Sequence, residues 1–138
     1  MKHVVDLAWE ESMTFGTEID GHRLTLDAAP ESGGNDRGPR PKKLMLAALA
    51  GCTGMDVISI LKKMKIEPEG FNVIVEGDVS DDYPKRYTQM KIIYQFKGKD
   101  LPLEKLQKAI GLSQDKYCGV SAVYRNALKI ESEIRIID

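Results

Sequence analysis

The sequence of 138 residues has little cysteine, little histidine and no excess of charge, and each shortage narrows the possible functions. Its two cysteines are 66 residues apart, so it contains no CxxC motif and no local zinc knuckle (118 − 52 = 66). The two histidines have neither HxxxH nor HxH spacing, and we therefore expect no metal site. A net charge of −1 offers no bulk attraction to nucleic acid or to an anionic membrane, so we expect neither as a partner.

The chain also lacks a long uncharged run and an apolar leader. The longest uncharged stretch, which begins at Leu44 and ends before Asp56, is too short to span a bilayer, and acidic residues stand near the start where a signal peptide has an apolar core. We therefore expect a cytoplasmic protein that forms one domain over residues 1–138. In that reducing compartment we expect the two cysteines to be free thiols or a transient redox pair, and not a structural disulfide.

What the sequence does contain is an ordered alternation of strand and helix patterns. Apolar residues alternate with polar ones before and after the hairpin signal Asp20–Gly21, and a loop rich in Gly and Pro follows over 29–41. The pattern then predicts a long helix, two strands, two helices and a last strand. Strands grouped in hairpins with packed helices indicate an α+β fold.

The predicted long helix, Lys42 to about Lys65, is apolar on every side in its first half. In a soluble protein this pattern is typical of a helix that is buried all round. We expect a sheet, other helices or a partner subunit to cover it.

Cys52 lies inside this helix between Gly51 and Gly54, although each glycine costs roughly 0.5–1 kcal/mol relative to alanine there. The small residues leave room for a backbone or a ligand to approach the sulfur. Asp56, one turn further on, would raise the pKa of the thiol, so a nucleophilic Cys52 needs a nearby cation. Cys118 stands at a predicted helix start, where the dipole favours thiolate. A buried, inert cysteine remains an equal alternative for each.

Two segments, "GPRPKKLMLAALAGCTGMDVISILKKM" and "LSQDKYCGVSAVYRNAL", resemble the family of osmotically inducible and organic-hydroperoxide-resistance proteins (OsmC/Ohr). The shared pattern is a Gly-rich loop, a Pro-x-x-Leu helix entry, a small-residue run that ends at a cysteine, and a second cysteine after a tyrosine. The resemblance covers essentially the whole chain. It implies an OsmC-like fold, with antiparallel sheets packed on a long central helix that is buried in an intertwined homodimer.

In the peroxidase members of that family the first cysteine, here Cys52, attacks a hydroperoxide and becomes a sulfenic acid. The second, here Cys118, condenses with it to a disulfide, which an external dithiol reduces. The resemblance therefore implies a thiol peroxidase for organic hydroperoxides in oxidative-stress defence, without metal or organic cofactor.

The sequence departs from the family pattern at the charged residues that hold the reactive thiolate. Lys42 and Lys43 stand where a glutamate is expected, and the stretch Glu11–Phe15 of the N-terminal hairpin lacks the expected arginine. Arg37 or Arg40 from the loop are the candidate replacement cations, although both also fit a solvated basic loop. The second hypothesis is therefore a non-catalytic module that binds a small ligand or senses redox state through its cysteines.

Overall fold

The structure, a computed structural model, describes all 138 residues in two compact units, Met1–Met45 and Leu46–Asp138. Each unit is described here by itself. The prediction of one domain over residues 1–138 stays a prediction.

The first unit is built on a three-stranded antiparallel sheet. Its strands are β1 (Ala8–Glu11), β2 (Thr14–Ile19) and β3 (His22–Leu26), paired in the order β1-β2-β3. Asp20 and Gly21 form the tight turn between β2 and β3, and both have positive φ, as a type I′ hairpin turn requires. The predicted Asp-Gly hairpin is confirmed.

A buried carboxylate orders the loop that follows β3. Asp27 accepts a hydrogen bond from the Thr14 hydroxyl at 2.8 Å and others from the backbone N–H groups of Ala28, Asn35 and Arg37. Burial raises the pKa of Asp27, but these hydrogen bonds outweigh that effect and hold the pKa below its usual value. The Gly-rich and Pro-rich loop is therefore tied to the sheet of its own unit.

The long helix α1 runs from Leu44 to Lys63 and enters the second unit at Leu46. Short loops and turns connect the elements that follow it. They are β4 (Gly70–Val79), β5 (Tyr87–Lys97), α2 (Leu103–Leu112), a π-helical turn (Ser113–Tyr117), α3 (Gly119–Tyr124) and β6 (Lys129–Ile137).

The second sheet has the order β4-β5-β6 and is mixed. Strands β4 and β5 are antiparallel, whereas β5 and β6 run parallel. The α+β fold class and the order of elements are confirmed, but the expectation of purely antiparallel sheets is wrong for this pair. The reason is the long connection through α2 and α3, which returns the chain to the start of the sheet so that β6 runs in the same direction as β5.

The core of the second unit lies between α1 and this sheet. On strand β5 every second side chain is completely buried. Helix α1 contributes a stripe of completely buried side chains that are four residues apart. The fully buried apolar residues at this contact are Met90, Ile92, Tyr94, Phe96, Leu49, Val57 and Leu61. The alternation on β5 is the pattern of a strand with one face on a core.

Within one chain, α1 is not buried all round as its composition predicts. Only 22% of its most apolar window is buried, and Met55 is 77% exposed. By length and composition alone the stretch Pro41–Lys63 could cross a membrane, a property that core helices of soluble proteins share. A large apolar part of this helix therefore has no cover from its own chain.

Candidate functional site

The structure brings the two cysteines together. Cys52 lies in the middle of α1, and Cys118 lies between the π-helical turn and α3. Their Sγ atoms and a carboxylate oxygen of Asp56 all lie within 4.8 Å of one another, and both thiols are free. Asp56 is one turn along α1 from Cys52, on the same helix face. These three residues form the thiol site.

The local backbone fixes the position of Cys118. Its N–H donates to the Ser113 carbonyl at 2.7 Å, the five-residue spacing of a π-helical turn. Its sulfur accepts a hydrogen bond from the backbone N–H of Ser121 at 3.4 Å and so caps α3. Only 3% of the residue is exposed. Turns of this kind are frequent at functional sites because they re-aim one side chain.

The environment of Cys118 disfavours its thiolate. Burial is the main cause that raises the pKa of Cys118 to about 11; a hydrogen bond with Cys52 and the charges of Cys52 and Asp56 act in the same direction, and the hydrogen bond from the Ser121 N–H acts in the opposite one. Cys118 stands at a helix start, as predicted, and the Ser121 N–H in the first turn of that helix lowers its pKa, but burial outweighs this effect. A helix of six residues cannot offset the loss of water around the sulfur.

A network of polar side chains, centred on Gln114, lies beside the thiol site. The Gln114 amide nitrogen donates to the Tyr94 hydroxyl at 2.9 Å and to the Thr53 hydroxyl at 3.1 Å. Its carbonyl oxygen accepts from the Ser121 hydroxyl at 2.8 Å and from the Arg125 guanidinium at 2.9 Å. One side chain thereby joins α1, β5 and α3.

The available protons fix the direction of this network. Ser113 donates its only hydroxyl proton to Asp56 at 2.9 Å, so Thr53 must donate to Ser113 at 2.8 Å. Tyr94 must in turn donate to Thr53 at 2.7 Å. Burial raises the pKa of Tyr94, which keeps its hydroxyl protonated for this donation. A chain of donated hydrogen bonds thus runs from Gln114 through Tyr94, Thr53 and Ser113 and ends on the Asp56 carboxylate.

The two arginines proposed from the sequence lie in the first unit and have carboxylate partners there. Arg37 forms an ion pair with Glu11 at 2.9 Å, and Arg40 forms one with Asp36 at 2.5 Å. Their role at the thiol site stays a prediction.

Sequence reasoning did not identify Gln114, Ser113, Thr53 or Tyr94 as site residues. Thr53 carried one usable signal, since it is four residues from both Leu49 and Val57 and so lies on the buried stripe of α1. A hydroxyl at such a position needs a buried partner. Gln114 carried no signal, because a glutamine after a helix is usually solvated.

The comparisons with known proteins place the chain in a family. The model of the OsmC-like protein family matches residues 33–133, which include both cysteines and Asp56. The chain belongs to the OsmC-like family. It is 29% identical to the protein YhfA of Escherichia coli K12 over 130 residues, or 94% of each chain.

Solved structures show the same OsmC-like fold over the full length. A hypothetical protein from Aquifex aeolicus is 29% identical, covers 100% of both chains and has a TM-score of 0.81. An organic hydroperoxide resistance protein from Elizabethkingia anophelis is 14% identical, covers 99% of both chains and has a TM-score of 0.71. The OsmC-like family and the α+β OsmC-like fold that the resemblance implied are thereby confirmed, and the homodimer stays a prediction.

We predict that Gln114→Leu lowers the free energy of unfolding by about 1–3 kcal/mol, because buried hydroxyls lose their partner. Urea denaturation followed by circular dichroism measures this change. Gln107→Leu, the same substitution at an exposed position of α2, is the matched control and should change stability by less than about 0.5 kcal/mol. Equal effects of the two substitutions would contradict a central role of Gln114.

Proposed function

We propose that this OsmC-like protein is a thiol-dependent peroxidase that reduces organic hydroperoxides. The observation that carries the proposal is the approach of the Cys52 and Cys118 sulfur atoms to within 4.8 Å, with neither thiol already bonded. A disulfide bond between them of about 2.05 Å requires only a local shift. The shared fold of a protein named for organic hydroperoxide resistance supports the same chemistry.

Cys52 is the attacking thiol in this proposal because it is the accessible one. Cys52 is partly exposed, whereas Cys118 is buried and its pKa is raised to about 11. The Cys52 thiolate attacks the outer oxygen of the hydroperoxide and breaks the O–O bond. The alkoxide that leaves takes a proton to become an alcohol, and the sulfur becomes a sulfenic acid.

Cys118 then resolves the sulfenic acid. Its sulfur attacks the Cys52 sulfur, hydroxide leaves and is protonated to water, and the disulfide forms. Conversion of the Cys52 thiolate to a neutral sulfenic acid removes one of the charges that raise the pKa of Cys118. Oxidation of Cys52 therefore makes Cys118 easier to deprotonate for its attack.

An external dithiol completes the cycle by two exchange reactions that return both cysteines to thiols. It attacks the more accessible sulfur, that of Cys52. The cytoplasm, which the cysteine content favours, supplies such reductants.

Arg37 and Arg40 are the proposed cations that stabilise the Cys52 thiolate. A cation is needed because the Asp56 carboxylate repels this thiolate. The hydrogen bond that Asp56 accepts comes from a neutral hydroxyl and does not cancel its charge. If either arginine has this role, Arg37→Gln or Arg40→Gln slows the oxidation of Cys52 in a stopped-flow measurement.

We also propose that the active form is a homodimer. The second unit has an open apolar cavity of about 430 Å³, lined mainly by small and apolar residues of α1. A methyl group added at Gly51 would meet no atom of its own chain within 4 Å, so the glycine is not required for packing within the subunit. A second copy of the helix, approaching at the glycines, would cover this surface.

The alternative function, a redox-sensing or ligand-binding module, is favoured by the raised pKa of Cys118. A resolving thiol that is almost fully protonated at neutral pH reacts slowly, and a long-lived sulfenic acid suits a sensor better than a peroxidase. The rates of the two oxidation steps separate these functions.

For the peroxidase we predict that an organic hydroperoxide oxidises two thiols per reduced chain, faster than it oxidises free cysteine at the same pH. Cys52→Ser should abolish the reaction, and Cys118→Ser should leave a persistent sulfenic acid. Stopped-flow kinetics followed by a free-thiol count measures both. Oxidation no faster than that of free cysteine would refute the peroxidase.

A second prediction concerns pH. Because the Cys118 thiol is mainly protonated below its pKa, its thiolate fraction grows nearly tenfold per pH unit. The rate of disulfide formation should therefore rise from pH 7 to pH 9. Loss of the sulfenic acid signal in stopped flow reports this step separately from the oxidation of Cys52. A rate independent of pH over this range would show that the raised pKa does not limit resolution.

The dimer is tested by Met55→Lys, which places a charge on the exposed apolar face of α1 and should weaken self-association by at least about tenfold. Sedimentation equilibrium measures the association. Tyr83→Lys, at a residue that is 85% exposed between β4 and β5, is the control and should leave association unchanged. A wild-type protein that is monomeric at micromolar concentration would overturn the proposed dimer.

A further inference from the structure

We propose that the reduced thiol site binds one Zn²⁺ ion through Cys52, Cys118 and Asp56, with the fourth position left to water. The proposal does not depend on the peroxidase function. It concerns the same three residues in their reduced state. The site could not be predicted from local spacing, since Cys118 lies far along the chain from Cys52 and Asp56.

The geometry suits a tetrahedral ion. With Zn–S near 2.3 Å and Zn–O near 2.1 Å, the ligand atoms of such a site lie about 3.6–3.8 Å apart. Here all three lie within 4.8 Å of one another, so each has to move by about 1 Å or less to close on an ion. Two sulfurs and one carboxylate oxygen are a donor set that selects Zn²⁺ over Mg²⁺ or Ca²⁺.

The surroundings of Asp56 hold it ready for coordination. The Ser113 hydroxyl donates to one carboxylate oxygen, Oδ2, and is itself held by Thr53. Such an outer hydrogen bond orients a ligating carboxylate and leaves its second oxygen for the metal. The hydrogen-bond chain described above therefore serves as the outer layer of the site.

The charges also favour a cation. Ionised, the two thiolates and the carboxylate carry three negative charges within 4.8 Å of one another. Binding of Zn²⁺ releases the two thiol protons and replaces the repulsion between these charges by attraction. The net charge of the loaded site is then −1.

A cavity of about 250 Å³ borders Asp56, and its other lining residues include Ser59, Lys63 and Tyr117. This volume is large enough for several waters, and a water next to Asp56 would supply the fourth ligand.

Titration of the reduced protein with Co²⁺, and with Zn²⁺ against a chromogenic chelator, tests the proposal. We expect one ion per chain, a thiolate-to-cobalt charge-transfer band and the release of protons. Cys52→Ser and Cys118→Ser should each lose the band, and Asp56→Asn should weaken affinity at least tenfold. Asp115→Asn, at an exposed carboxylate near Cys118, is the matched control and should bind as the wild type does.

Wild-type protein oxidised to the disulfide provides a second measurement that needs no substitution, and it should bind no ion at this site. A double His3→Ala, His22→Ala variant should bind normally. The proposal is overturned if the charge-transfer band is absent, if it survives the loss of either cysteine, or if folded Asp56→Asn binds with wild-type affinity. A peroxidase that proves inactive leaves every one of these readouts unchanged.

Discussion

The hydrogen-bond chain that ends on Asp56 is the interaction on which the rest of the second unit depends. Gln114 receives hydrogen bonds from α3 and donates to α1 and β5, so the segment that carries Cys118 is fixed relative to the helix that carries Cys52. No buried side-chain nitrogen or oxygen lacks a hydrogen-bond partner. A fully paired polar network of this kind rigidifies a core, whereas a partly paired one would cost stability.

The same network explains why the site stands in the middle of an otherwise apolar helix. Thr53 replaces one apolar residue on the buried stripe of α1, and its hydroxyl is stabilised by three partners. The opposite face of the helix has no such partners and remains apolar and largely exposed. The two faces of α1 therefore differ in what they contact. The face at Thr53 forms hydrogen bonds within the chain, and the opposite face is apolar and has little cover from it.

The order of elements could be predicted from the sequence because periodicity is local. The alternation on β5, the turn at Asp20–Gly21 and the long helix each depend on neighbouring residues. The parallel pairing of β6 and the hub at Gln114 could not be predicted, since both depend on contacts between distant segments. The approach of the two thiols could be predicted only in part. Its sequence spacing carries no geometric information, and only the resemblance to a known family suggested that Cys52 and Cys118 meet.

The parallel pairing of β5 and β6 also affects the order in which the chain folds. The thiol site draws its atoms from α1 and from the connection between β5 and β6, so it is complete only when that connection has packed against α1. Closure of such non-local contacts is slow because loop entropy is lost before the contacts are gained. We therefore expect the two thiols to remain apart in early folding intermediates. The contact between the two thiols is therefore a product of the complete tertiary structure and not of any local segment.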